Sequence, residues 1–214
     1  SECLVGSEMC IRDRTYKYVL GLKKKSYVQL SGLEQRINSP QTRDLVRRLN
    51  LAAITVLNNK NHILPLHTDK EQTIALLEVG DPGETDALAK QLSRYTSLAR
   101  FSLRANQTEE KNQRLRDSLS TYKRIIVAVS EQRLAPYQPF FAKFVPESPA
   151  IYLFFTPGKM MLQIQRAVAH ASAVVLGHSY SSDVQRQVAD VLFAKASADG
   201  QLSASLGEPV SYTH

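Results

Sequence analysis

Thr73-Ile74-Ala75-Leu76-Leu77-Glu78-Val79, closed by the turn Gly80-Asp81-Pro82-Gly83, decides the fold. The run is apolar at nearly every residue rather than at every second one, as expected of a strand covered on both faces of a parallel sheet. Four more runs of this kind follow: Leu98 to Leu103, Arg124 to Val129, Ala150 to Phe155 and Ala173 to Leu176. Helical spacings separate them, namely Leu88, Leu92 and Tyr95; Leu115 and Leu119; Met161, Ile164 and Val168; and Val184, Val188, Val191 and Leu192. Asn106 with Glu109 reads as a capping pair, and Ser182 with Asp183 as a helix start. Residues 136 to 145 carry the weakest helical pattern, and a last strand is expected over Gln201 to Leu206.

Working back from Gln72, Asn38-Ser39-Pro40 supplies a cap and a proline at the first helical position, where its missing donor costs nothing. Leu45, Leu49, Ala52, Ala53, Val56 and Leu57 then fall on one stripe, which predicts an amphipathic helix over residues 40 to 57. Asn58-Asn59-Lys60-Asn61 ends it, since these side chains tolerate turn conformations. Residues 15 to 38 are polar and tyrosine-bearing, an arm with one turn of helix around Tyr16 to Leu20. The expected class is therefore α/β: a doubly wound, mostly parallel sheet of five to six strands with helices on both faces, preceded by an extended arm and a long helix.

The two ends read differently. Glu8-Met9-Cys10-Ile11-Arg12-Asp13-Arg14 back-translates as GAG ATG TGT ATA AGA GAC AG, and the reverse complement of that DNA encodes Val210-Ser211-Tyr212-Thr213-His214. Inverted copies of one short element match the mosaic end of transposase-based sequencing adapters. Residues 1–14 and 210–214 are therefore expected to be adapter-derived, leaving 15–66 as inter-domain arm and first helix and 67–209 as an α/β sandwich domain. A signal peptide is a poor reading of the start, which lacks a basic segment followed by an apolar run.

Both cysteines, Cys3 and Cys10, lie in the excluded part, so no disulfide or thiol chemistry is expected. The formal net charge is +7, and removing the three acids and two bases of residues 1–14 leaves +8. Lys23-Lys24-Lys25 is the only dense cationic run, and bases elsewhere are scattered among acids, so nucleic acid is not an expected partner. No apolar run reaches the length of about 18 residues that a membrane span needs.

In such sheets ligands bind outside the carboxyl ends of the strands. The loops there are Gly80-Asp81-Pro82-Gly83, Ser130-Glu131-Gln132, Thr156-Pro157-Gly158-Lys159 and Gly177-His178-Ser179-Tyr180. The first lacks the glycine spacing of a dinucleotide fingerprint and the GK[ST] ending of a phosphate loop, so it reads as a tight turn. Asp81 sits where a phospho-acceptor aspartate would, but the accompanying acids and lysine are missing. His178, Ser179 and Glu131 can be drawn as a hydrolytic triad, yet Ser179 has no nucleophile-elbow glycines. His62 and His67 have no ligand at helix spacing and His170 stands alone, so metal binding is not expected. No catalytic, cofactor-binding or metal residue is therefore assigned, and no cofactor.

With these elements placed, the trimmed chain resembles the C-terminal α/β sandwich domain of glycoside hydrolase family 3. Tyr16-Lys17-Tyr18-Val19-Leu20-Gly21-Leu22 is similar to the family's "KY-x-x-GL" stretch. Asn38-Ser39-Pro40 through Leu51-Ala52-Ala53-Ile54-Thr55-Val56-Leu57-Asn58-Asn59 and Ile63-Leu64-Pro65-Leu66 resemble "N-x-P…A-x-x-S-I-T-L-L-K-N…L-L-P-L". Phe154-Phe155-Thr156-Pro157-Gly158 resembles "F-G-N-P-Y", and Leu192-Phe193-Ala194-Lys195-Ala196 with Asp199 to Leu206 resembles "A-L-F-G…G-x-L-P-V-S-V". The resemblance implies a missing N-terminal barrel that binds the carbohydrate substrate and supplies an aspartate nucleophile for a retaining mechanism. In its β-glucosidase branch a long loop of this domain brings the acid/base glutamate. The corresponding connection here, Ser130 to Ser148, is short, which favours the β-N-acetylhexosaminidase branch, with its acid/base in the barrel and its site outside the cytoplasm. Two other readings stay open: a stand-alone flavodoxin-like binding module, and a basic, nucleic-acid-associated domain.

Overall fold

The computed structural model describes residues 15–19, 39–198 and 200. The chain falls into two units, Ser1–Val46 and Arg47–His214. In the first, residues 15–19 form a helical turn. Ser39 caps the helix α1 (Pro40–Ala53), its Oγ accepting from the Thr42 N–H at 3.1 Å. The remainder of the arm and the strand expected over 201–206 lie outside the described residues.

In the second unit α1 ends at Ala53, four residues earlier than expected, and Val56 and Leu57 lie in a strand, β1 (Thr55–Asn59). Three consecutive β-branched residues, Ile54, Thr55 and Val56, pack poorly against a preceding helical turn and well on a pleat. In the strand Val56 and Leu57 face opposite ways, each joining a different core cluster. β1 pairs antiparallel with β6 (Ala173–Leu176), Thr55 opposite Leu176, with an irregularity between Val56 and Asn58. Asn59 then staples the turn, accepting from the Leu64 N–H at 2.9 Å and donating Nδ2 to the Leu64 carbonyl at 3.0 Å. Asn61 and His62 take left-handed backbone angles there.

Among the described residues the other strands are β2 (Asp69–Val79), β3 (Thr96–Leu103), β4 (Ile125–Val129) and β5 (Ala150–Phe154), and the sheet order is β1-β6-β5-β4-β2-β3. All pairs except β1 with β6 are parallel. Every residue of β4, β5 and β6 is buried, which explains their unbroken apolar reading. Ile74 and Leu76 of β2 enter the core beneath α2 (Asp86–Leu92) and α6 (Ser182–Leu192). Ala75, Leu77 and Val79 enter the opposite core beneath α3 (Glu109–Ser120), α4 (Gln138–Phe141) and α5 (Gln165–Ala169).

One expected cap moves and one expected helix start holds. α3 starts after Thr108, while Asn106 occupies a left-handed turn position, φ 53°, that asparagine tolerates well. α6 starts at Ser182 with Asp183 in its first turn, as expected, and Ser181 caps it, its Oγ accepting from the Val184 N–H at 3.4 Å. The weak 136 to 145 pattern resolves into a 3-10 turn, Ala135–Tyr137, running into the short α4.

Candidate functional site: the crevice at the strand-order reversal

The chain steps from β2 outward to β3, then returns across β2 to β4. The crossover direction therefore reverses between β2 and β4, and a crevice forms outside the carboxyl ends of such neighbours. A hollow of about 580 Å³ occupies that place, with Asp81 and Glu84 from the loop after β2, Ser130, Glu131 and Arg133 from the loop after β4, and Tyr137 and Tyr180 beside them.

Two backbone details set its floor. Ser130 donates both its N–H (3.0 Å) and its Oγ (3.2 Å) to the Val79 carbonyl. Gly80 follows with φ +140°, and a Cβ there would run into Ser130 Oγ. Gly80→Ala should therefore cost about 2 kcal/mol, the scale of a strained non-glycine backbone. Urea denaturation will read it, and Ser130→Gly in the same chain should recover part of the loss by opening the space.

The residues singled out from sequence are not drawn into one constellation. Asp81 is exposed, and its carbonyl receives the Glu84 N–H at 3.4 Å, the tight turn expected. Glu131 Oε1 accepts from the Arg133 N–H at 3.0 Å. Ser179 Oγ accepts from the Ser181 N–H at 3.2 Å, which makes it a turn residue preceding the α6 cap. His178 sits at φ 61°, and partial desolvation lowers its pKa, favouring the neutral ring. No hydrogen bond joins His178, Ser179 and Glu131 among the described residues. His62, His67 and His170 are exposed on three separate segments, and no group of three potential ligands converges among the described residues.

Glu84 and Tyr137 were not marked by the sequence. Glu84 lies four residues after Gly80 on the same turn, the one signal available for it. Tyr137 belongs to the weakly patterned stretch, where nothing in the periodicity separates it from core.

Among the described residues the parallel strands run, in sheet order, second, first, third, fourth and fifth, so the second unit is a doubly wound α/β domain of flavodoxin-type order with an added antiparallel strand beyond β6. No known family pattern and no curated protein matches the sequence. Among solved structures, 79% of this chain aligns with 20% of a fungal multi-domain family 3 β-N-acetylglucosaminidase at TM-score 0.63 and 13% identity. A family 3 β-N-acetylglucosaminidase from Paenibacillus aligns over 80% of this chain and 34% of its own, at TM-score 0.58 and 18% identity. The Listeria innocua β-glucosidase aligns over 76% of this chain and 26% of its own, at TM-score 0.59 and 15% identity. The fold is thus one that family 3 glycoside hydrolases carry as a part, between a fifth and a third, of a longer chain.

Proposed function

We propose that this chain is the accessory α/β portion of a longer family 3 glycoside hydrolase, and that its parent removes terminal β-N-acetylglucosaminides with retention, outside the cytoplasm. The observation that carries the reading is the mismatch in coverage: the fold accounts for 76–80% of this chain but 20–34% of the enzymes that share it. The portion of the parent that binds and cleaves the sugar would be the missing N-terminal barrel.

The connection from β4 to β5 supports the hexosaminidase reading over the glucosidase one. Its middle is not a loop free to reach a neighbouring active site. Phe140, Phe141 and Phe144 turn inward from it and are buried in the core beneath α3 and α5. Glu131, its nearest carboxylate, is held to the turn by the Arg133 N–H.

The test is an assay of this chain and of the longer natural coding sequence on aryl β-N-acetylglucosaminide and aryl β-glucoside. This chain should show no turnover. The parent should favour the N-acetylglucosaminide and release product with retained anomeric configuration. Turnover by the short chain would overturn its accessory role, and a parent faster on the glucoside would overturn the specificity.

A further inference from the structure

Among the described residues the sheet ends on β1 at one side and on β3 at the other, and the two margins are built differently. β1 is five residues long, is irregular between Val56 and Asn58, and runs into the Asn59 turn. Short, irregular edge strands resist pairing with another chain. β3 is eight residues long, with no proline, no glycine and an unbroken register from Ser97 to Leu103. Its one charge, Arg100, is turned onto its own molecule, donating Nη2 to Glu78 Oε1 at 2.8 Å and to Asp86 Oδ1 at 2.5 Å.

The ladder fixes which groups of β3 face outward. The Ala75 N–H bonds the Arg124 carbonyl, so odd-numbered residues of β2 point at β4 and even-numbered ones at β3. In a parallel pair such a residue bonds the two neighbours of its register partner. Leu76 is level with Arg100 and Glu78 with Ser102, which engages Ala99, Phe101 and Leu103. The backbone N–H and C=O groups of Leu98, Arg100 and Ser102 therefore face away from the sheet, with no hydrogen-bond partner among the described residues. Leu98 on one face of the strand and Phe101 on the other are both only half-buried, the state of a sheet that stops one strand short.

We propose that β3 pairs antiparallel with β3 of a second copy of this chain, joining two sheets into one across a two-fold axis at Ala99. A second copy fits because this edge is complementary to itself. Two-fold pairing keeps like faces of the two sheets on the same side, so opposed residues share parity. Centring on Ala99 sets the outward groups of Leu98 against those of Arg100 in the copy, and those of Ser102 against Thr96. It also puts the smallest side chain of the strand where the two backbones come closest. Each Arg100 then lies beside a leucine rather than the other arginine, its stem covering Leu98, and it brings its own two carboxylates, so no unpaired charge is buried. Arg94 and Arg104 lie beyond the strand ends and are exposed, where salt screens them. Nothing in this pairing depends on the glycosidase reading.

Sedimentation of the whole chain from micromolar to millimolar concentration should show a monomer–dimer equilibrium. Ser102→Pro removes one outward N–H at an edge position where proline is tolerated. It should weaken association by about thirtyfold, the effect of two net hydrogen bonds per dimer, with the circular dichroism unchanged. A covalent test fixes the register, in a chain whose Cys3 and Cys10 are replaced by serine. Ala99→Cys, oxidised with glutathione disulfide, should form a disulfide-linked dimer, whereas Ser102→Cys should not, because its two copies stand far from the axis. A monomer at millimolar concentration, undiminished association of folded Ser102→Pro, or crosslinking through Ser102→Cys as strong as through Ala99→Cys would each overturn the proposal.

Discussion

Phe140→Ala should destabilise the domain by about 4 kcal/mol and lower its melting temperature by roughly 8–16 °C, the scale for a truncated core phenylalanine in a chain of this size. The ring is 1% exposed, stacks on Phe144 at 5.0 Å and meets Phe141 edge-on at 5.4 Å. It also carries the Arg116 guanidinium 5.7 Å above its centre. Arg116 is itself nearly buried, donating Nη2 to Glu109 Oε1 at 2.6 Å and to Gln113 Oε1 at 2.8 Å, while its Nη1 has no partner among the described residues. Removing the ring would leave a half-satisfied cation over a void, so Phe140→Leu, which fills part of that void, should cost less than the alanine variant. A loss below about 1 kcal/mol for the alanine variant, the range of a surface change, would mean that the aromatic layer is not packed.

Gln185→Leu is the second large effect, at about 3 kcal/mol, because it strands polar backbone groups in the opposite layer. Gln185 is 2% exposed and uses its whole amide. Oε1 accepts from the Leu88 N–H at 3.0 Å, and Nε2 donates to the Glu84 carbonyl at 2.6 Å and the Tyr180 carbonyl at 2.7 Å. One side chain on α6 thus fixes the start of α2 and the approach to α6, and with them two crevice residues, Glu84 and Tyr180. The leucine variant should therefore lose thermal stability and also broaden the Tyr180 ring signals by NMR. An unchanged melting temperature would show that water replaces the amide without penalty. Farther along the same helix pair, Asp190 accepts from Gln91 Nε2 at 2.6 Å and from Tyr95 Oη at 2.7 Å, so the two helices are tied at both ends.

These networks explain why some of the molecule was legible in its sequence and some was not. β4, β5 and β6 announced themselves because burial on both faces leaves no polar residue to interrupt the run. β1 did not, because Ala52, Ala53, Val56 and Leu57 satisfy helical spacing by coincidence. Only the pairing with β6, more than a hundred residues away, decides between the two periods. The loops after β2, β4 and β6 could each be placed in advance at the carboxyl edge. Which of their side chains share a hollow could not, since that depends on the Gly80–Ser130 contact and on Tyr137 entering from a stretch with no periodic pattern. Gln185 was invisible for a related reason: a glutamine within a helical pattern looks like solvent-facing filler until the backbone it serves is known.

The edge strand has a consequence for how the chain is made. Thr55 leaves the ribosome well before its partner Leu176, with four strands synthesised in between. At ordinary elongation rates that interval is on the order of ten seconds, long compared with the collapse of a nascent chain. β2, β3 and β4 can find one another in that time by nearer pairings, whereas β1 must be held available until its partner β6 emerges. Among the described strands the sheet is therefore closed by the one made first, through the pairing of β1 with β6.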